Sequence, residues 1–192
     1  MPADETDRLV RLAAFQFLDE QSRIWGDVLP WRVLSEGFTF GGRRVPLVSQ
    51  QGIFKPAVLK SVPLSIRTTP MIEGQDRPYD DGMTPDGLLL YRYRGTDASH
   101  RENAGLRQAM AEQIPLVHFQ GIVKGQYLAS WPVYVVDDDP AALAFTVAVA
   151  EPEALSPDLT PAIAEDARRA YYRGITKRRL HQAVFRERVL HA

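Results

Sequence analysis

From residue 38 to residue 150 the apolar positions come in short runs broken by turn formers rather than at helical spacing, so most of the chain is committed to strands. Phe38 to Val45 reads as a hairpin closed by Gly41-Gly42. Leu88 to Tyr93, Leu116 to Phe119, Tyr127 to Val136 and Leu143 to Ala150 read as further strands. Between the first two of these, Asn103 is placed to cap a short helix that carries Leu106 and Met110 one turn apart on one face. Several strands, one such helix and few βαβ units predict an α+β fold with a curved or barrel-like sheet.

Both flanks return to helical spacing. Over residues 5–24, Leu9, Leu12, Ala13 and Leu18 predict an N-terminal helix that packs on the core and ends at Trp25-Gly26. After Pro157 and Pro161 the spacing predicts a helix over 162–173, a break at Gly174, and a second helix capped by Thr176 that runs from Lys177 to about Leu190. Its stripe of Leu180, Val184 and Leu190 lies beside Arg178, Arg179, Arg186 and Arg188, which fits either a connector to another domain or a helix docked on this one. The division that follows is an N-terminal helical appendage (1–37), a main domain (38–155) and a helical connector (156–192).

With 192 residues, of which 45% are hydrophobic and 24% charged, the chain has enough apolar surface for one good core. It contains no cysteine, which excludes disulfides and thiolate metal sites and fits a reducing, cytoplasmic compartment. The polar N-terminus and the lack of any run of 18 apolar residues predict a soluble protein with no membrane span. Charge is distributed unevenly: residues 31–110 carry a net +3, residues 137–167 a net -8 and residues 168–192 a net +7. The 23 basic residues are 19 Arg and four Lys. The planar guanidinium suits phosphate and base recognition, although G- and C-rich coding produces the same bias.

Motifs for common hydrolases are missing: there is no Gly-x-Ser-x-Gly, no Gly-rich phosphate loop with Lys and Ser or Thr, and no His-Glu-x-x-His. Asp137-Asp138-Asp139 reads as a turn rather than a metal site, because consecutive side chains at a strand end point in different directions. His118, within an apolar run, reads as a buried structural histidine.

The most informative stretch runs from Arg77-Pro78-Tyr79-Asp80-Asp81-Gly82 to Leu88-Leu89-Leu90-Tyr91-Arg92-Tyr93-Arg94-Gly95. An acidic, turn-rich loop leads into a strand whose Tyr91 and Tyr93 share one face. Two rings and a carboxylate at one concavity fit a nucleobase, with stacking on the rings and Asp accepting from an exocyclic amine. On the residues alone, ordinary core tyrosines and turn aspartates are the better fit, since Asp and Gly are commonplace in turns. Lys55, Lys60, Arg67 and Arg77 are candidates for phosphate contacts. A magnesium-dependent nuclease centre built from Asp80, Asp81 and Asp86 is the strongest enzymatic reading of the chain itself.

In order along the chain, Tyr79-Asp80-Asp81, Gly87, Tyr93-Arg94-Gly95, Asn103 with Leu106, and Pro115-Leu116-Val117 resemble the core pattern of SRA (YDG) domains, over roughly residues 45–150. Tyr91-Arg92-Tyr93-Arg94-Gly95, Trp131-Pro132-Val133-Tyr134-Val135-Val136, Gln51 to Pro56 and Asp138 to Leu143 are similar to strings in the SRA-like domains of bacterial modification-dependent HNH restriction endonucleases. Ile175 to Leu190 resembles the helix that leads into the HNH domain of such proteins, and no Cys or His set for that domain follows it.

The resemblance implies a PUA-like fold that binds duplex DNA and flips a 5-modified cytosine, 5-methyl or 5-hydroxymethyl, out of the stack. It places Tyr79 and Tyr93 as the sandwiching rings and Asp81 on the Watson–Crick edge. Arg94 stands where many members carry Thr, which leaves the recognised modification open, and the spacing from Gly87 to Gly95 allows Tyr91 to take the place of Tyr93. The loop from Thr96 to Arg101 falls where the family inserts a finger into the duplex, which makes His100 and Arg101 candidate intercalating residues. The chain itself would be non-catalytic and need no cofactor, with a divalent metal only in the HNH domain. Its partner would be modified double-stranded DNA, with a homodimer possible, and a PUA-like RNA-binding module is the remaining alternative.

Overall fold

The computed structural model describes residues 3–69, 82–83 and 88–149. Arg77, Tyr79, Asp80, Asp81, Asp86 and the C-terminal helices read from the sequence lie outside the described residues. The described elements are α1 (Ala3–Trp25), β1 (Val28–Pro30), α2 (Trp31–Glu36), β2 (Phe38–Phe40), β3 (Arg43–Val45), β4 (Ile53–Phe54) and β5 (Ser65–Thr68). They continue with β6 (Gly82–Met83), β7 (Leu89–Arg92), α3 (Arg101–Ala111), β8 (Leu116–Val123), β9 (Gln126–Asp139) and β10 (Ala144–Val149).

Eight strands form one sheet in the order β4-β5-β8-β9-β10-β7-β6, with β1 paired to the start of β9. The β5–β8 pair is parallel, and the other pairs are antiparallel. The sheet curls into a half-barrel. Although β8, β9 and β10 lie between them in the sheet, β7 and β5 meet across its interior, where the Tyr91 hydroxyl donates to the Arg67 carbonyl at 3.5 Å. The molecule is therefore a mixed α+β fold with an N-terminal helix and a curled sheet, as the strand pattern predicts. Among the described residues no helix is long and apolar enough to cross a membrane.

Strand alternation divides the apolar residues between two cores on opposite faces of this sheet. Ile66, Leu89, Tyr91, Tyr93, Leu116 and Val135 fill the concave interior, together with Leu106 and Ala109 of α3. Val117, Phe119, Tyr127 and Ala129 face the other way and pack under Val10, Ala14, Phe15 and Leu18 of α1, with Leu29 of β1 and Leu34 of α2. The segment read as an N-terminal appendage thus contributes a strand to the main sheet and a helix to one of its cores.

The helix over 5–24 forms, but its buried stripe is Val10, Ala14, Phe15 and Leu18, while Leu12 is 42% exposed. Arg11, although charged, is only 4% exposed. Its guanidinium donates to the carbonyls of Val62, Pro63 and Pro115 at 2.8–3.0 Å, which tethers α1 to two loops. Burial lowers its pKa to about 10, with Asp7 opposing the shift, so it stays charged at neutral pH.

The hairpin closes as the Gly-Gly pair requires. Gly41 and Gly42 both have positive φ, and Phe38 pairs with Val45. Ahead of it, Gly37 adopts φ +64°, and a Cβ there would stand 2.0 Å from the Val45 carbonyl oxygen, so only glycine joins α2 to β2.

One capping expectation is corrected. The N-cap of α3 is His100, whose Nδ1 accepts from the Glu102 N–H at 3.3 Å. Asn103 is instead fully buried and holds the preceding loop: its Oδ1 accepts from the Arg94 N–H, and its Nδ2 donates to the Arg94 and Asp97 carbonyls.

Candidate functional site

The concave interior carries a polar network at its α3 end. Tyr93, on the interior face just past β7, donates its hydroxyl to Asp138 near the end of β9. Arg107, one turn before the end of α3, donates from Nε to Asp138 at 2.6 Å and from Nη2 to the Tyr93 hydroxyl at 3.1 Å. Phe145 packs against the Tyr93 ring with centroids 4.6 Å apart, and the Arg107 guanidinium lies 5.7 Å from the Tyr93 centroid. Burial pushes the Tyr93 phenol above its ordinary pKa, and its bond to Asp138 adds to that, while Arg107 opposes it. The bond to Asp138 in turn raises the Arg107 pKa.

Tyr91 and Tyr93 do share a face, and both are buried, at 4% and 1% exposure. A base could stack on Tyr93 only after the packing by Phe145 and Arg107 opened. The carboxylates of the Asp137-Asp138-Asp139 run serve separate local roles. Asp138 holds Tyr93 and Arg107, whereas Asp139 Oδ1 accepts from the Ala141 and Ala142 N–H groups in the turn before β10. Among the described residues no cluster of three or more His, Asp or Glu side chains is arranged to hold a metal ion.

A second constellation lies on the opposite face of the sheet. Arg67 on β5 places its guanidinium 5.4 Å from the Trp31 ring centroid and 5.8 Å from that of Tyr127. The two rings are 5.8 Å apart and tilted by 50°. Arg67 donates to the Gln50 carbonyl at 3.1 Å and to the Tyr127 hydroxyl at 3.4 Å, while its buried Nε has no hydrogen-bond partner among the described residues. The rings therefore hold this guanidinium as much as its hydrogen bonds do.

The residues singled out in the sequence do not converge on one place. Lys55 donates to the Leu59 carbonyl at 2.8 Å and closes its own loop. The Lys60 backbone N–H meets Asp7 of α1 at 3.3 Å. Arg67 joins Trp31 and Tyr127. His100 caps α3, Arg101 is exposed at its first residue, and Arg94 is exposed with its backbone clamped by Asn103. Arg77, Tyr79 and Asp81 lie outside the described residues. Sequence reasoning missed Arg107, whose partner Asp138 is 31 residues away, and Trp31, whose partners belong to β5 and β9. No local spacing signals such contacts.

A cavity of about 630 Å³ opens between α1, the end of α3 and the 60–62 loop, with Phe15, Val62, Ile114 and Pro115 as its apolar wall and Asp7 and Glu112 among its polar lining.

No family model, curated protein or solved structure matches this chain.

Proposed function

We propose that this chain recognises modified double-stranded DNA, taking a 5-methyl- or 5-hydroxymethylcytosine flipped from the duplex, and that it serves as the targeting part of a modification-dependent HNH endonuclease. The support is the ordered resemblance in the sequence together with one pairing in the fold. Gly82, the residue directly after Asp81, pairs with Leu90, and Met83 pairs with Leu89. The chain leaving the Tyr79-Asp80-Asp81 motif is thereby hydrogen-bonded to the strand that leads through Tyr91 to Tyr93.

In this reading Tyr79 and Tyr93 stack on the base, Asp81 accepts from the cytosine amine and Arg94 lies at the mouth. Asp138 and Arg107 fix the Tyr93 ring before any ligand arrives. Unstacking a base costs a few kcal/mol, which stacking on two rings and hydrogen bonds to its edge recover. One methyl group adds only about 1 kcal/mol of burial, so discrimination over plain cytosine should be moderate, about fivefold to tenfold.

A gel shift with matched duplexes carrying cytosine, 5-methylcytosine or 5-hydroxymethylcytosine tests the proposal. The expected result is tighter binding of one modified duplex, lost in Asp81→Ala. Equal affinity for all three, unchanged by that substitution, would overturn it. Magnesium-dependent cleavage by the chain would favour the nuclease reading, and preference for structured RNA the RNA-binding one.

A further inference from the structure

Residues 28–69 contain six Lys and Arg residues and a single acid, Glu36. In the linear sequence this is only a charge bias, but the fold gathers much of it around Trp31. The Trp31 N–H donates to the Gly125 carbonyl at 2.8 Å, which brings the β8–β9 turn and its exposed Lys124 to the start of α2. Arg44 of β3 donates to the Ser35 carbonyl at 2.9 Å, which folds the β2–β3 hairpin and its exposed Arg43 onto the same helix. Arg32, the second residue of α2, has a side chain 78% exposed and reaches Glu36 only at 3.9 Å. Arg67 completes the group from β5, held between Trp31 and Tyr127.

From this arrangement we infer that Arg32, Arg43, Arg44, Arg67 and Lys124 form a surface that grips the phosphate backbone of duplex DNA, separate from the concave interior and its Tyr93. Among the described residues only Arg32 of these cations pairs with a carboxylate, and that at 3.9 Å, so phosphate contact carries little competing loss there. Arg67 is oriented in advance by the rings, which reduces the ordering that such a contact requires. The occupant follows from charge: a surface of five cations around one weakly engaged carboxylate suits a regularly spaced polyanion, and Arg favours phosphate. This inference rests on the DNA-reading proposal for its partner, but its test is independent of base recognition. Phosphate contacts position the protein without reading the base.

The test is the salt dependence of binding by the whole chain to an unmodified duplex and to the same duplex with 5-methylcytosine. Arg32, Arg43 and Lys124 are exposed and none of them fastens the hairpin to α2, so the triple variant R32Q/R43Q/K124Q keeps the fold, which circular dichroism and a melting curve check. Each lost phosphate contact removes about 0.9 from the slope of log affinity against log salt, so the triple variant should lower the slope by roughly 2–3. It should weaken binding to both duplexes at least tenfold while leaving their affinity ratio unchanged. Arg8→Gln, on α1, ion-paired with Glu5 at 2.7 Å and sharing none of these contacts, should leave the slope as it is. An unchanged slope in the triple variant, or an equal loss in Arg8→Gln, would overturn the surface. If the wild type prefers neither duplex but the triple variant still loses slope, the base-reading proposal fails and the surface stands.

Discussion

His118 is where the curled interior sets a measurable pH limit on the fold. It is 4% exposed, and its polar contact among the described residues is the Thr68 hydroxyl, 3.4 Å from Nε2, a neutral group that does not offset a charge there. Burial lowers its pKa from 6.5 to about 4. The folded state thus disfavours the proton that the unfolded chain accepts readily. Stability is fully present above about pH 6.5 and is lost as the pH falls towards 4. A shift of that size is worth about 3 kcal/mol when complete. Urea denaturation between pH 7 and pH 4 should show a decline of that order, and His118→Leu should flatten it whatever its effect on stability at pH 7. A decline of the same steepness in the variant would mean that the carboxylates govern acid stability instead. The burial of His118 follows from its apolar run in the sequence. That of Arg11 does not, because its partners are carbonyls more than 50 residues away.

Among the elements, the long strands and α1 were legible because each carries its own period, while the short pieces were not. Strands β1, β4 and β5 span only two to four residues, too few to establish alternation, and β5 exists because it pairs in parallel with β8. Asn103 was read as a cap because an Asn ahead of an apolar face usually is one. Here the loop from Arg94 to Asp97 needs its amide more, and His100 takes the helix end. The pocket residues were legible only as a motif: alternation puts Tyr91 and Tyr93 on one face, but only the packing reveals that both rings are buried. Gly37 shows the opposite limit, a constraint that no composition rule flags. A Cβ at this position meets Val45 carbonyl oxygen, and the backbone lies in a region open almost only to glycine. Gly37→Ala should therefore cost about 3 kcal/mol or more by chemical denaturation, far above the usual cost of adding a methyl group at a surface junction. A loss below 1 kcal/mol would show that the β2–β3 hairpin shifts freely, which would also loosen the basic surface it supports.

At the scale of the whole molecule, one sheet separates two cores, and the question is whether they unfold together. The interior core is enclosed by strands that pair with one another and by α3, whereas the outer core depends on α1 lying across β8 and β9. Besides apolar contact, α1 is fastened there by Asp7, which accepts from the Lys60 N–H, and above all by Arg11 and its three carbonyls, in the loop before β5 and at the residue before β8. Arg11→Met keeps much of the apolar stem and removes the charge, but it leaves those carbonyls without their donor, at about 1–3 kcal/mol for each one that water cannot reach. If the cores are separable, α1 should open by itself. Native-state hydrogen exchange of Arg11→Met would then show α1 amides exchanging far faster while those of β9 and β10 keep their protection. Equal acceleration in α1 and β10 would mean a single cooperative unit in which the outer core holds the interior closed. The distinction bears on the proposed function. With separable cores, Arg107 and Tyr93 can rearrange around a base while the Trp31 surface stays fixed on the phosphates, because the two sites lie on opposite faces and share no side chain.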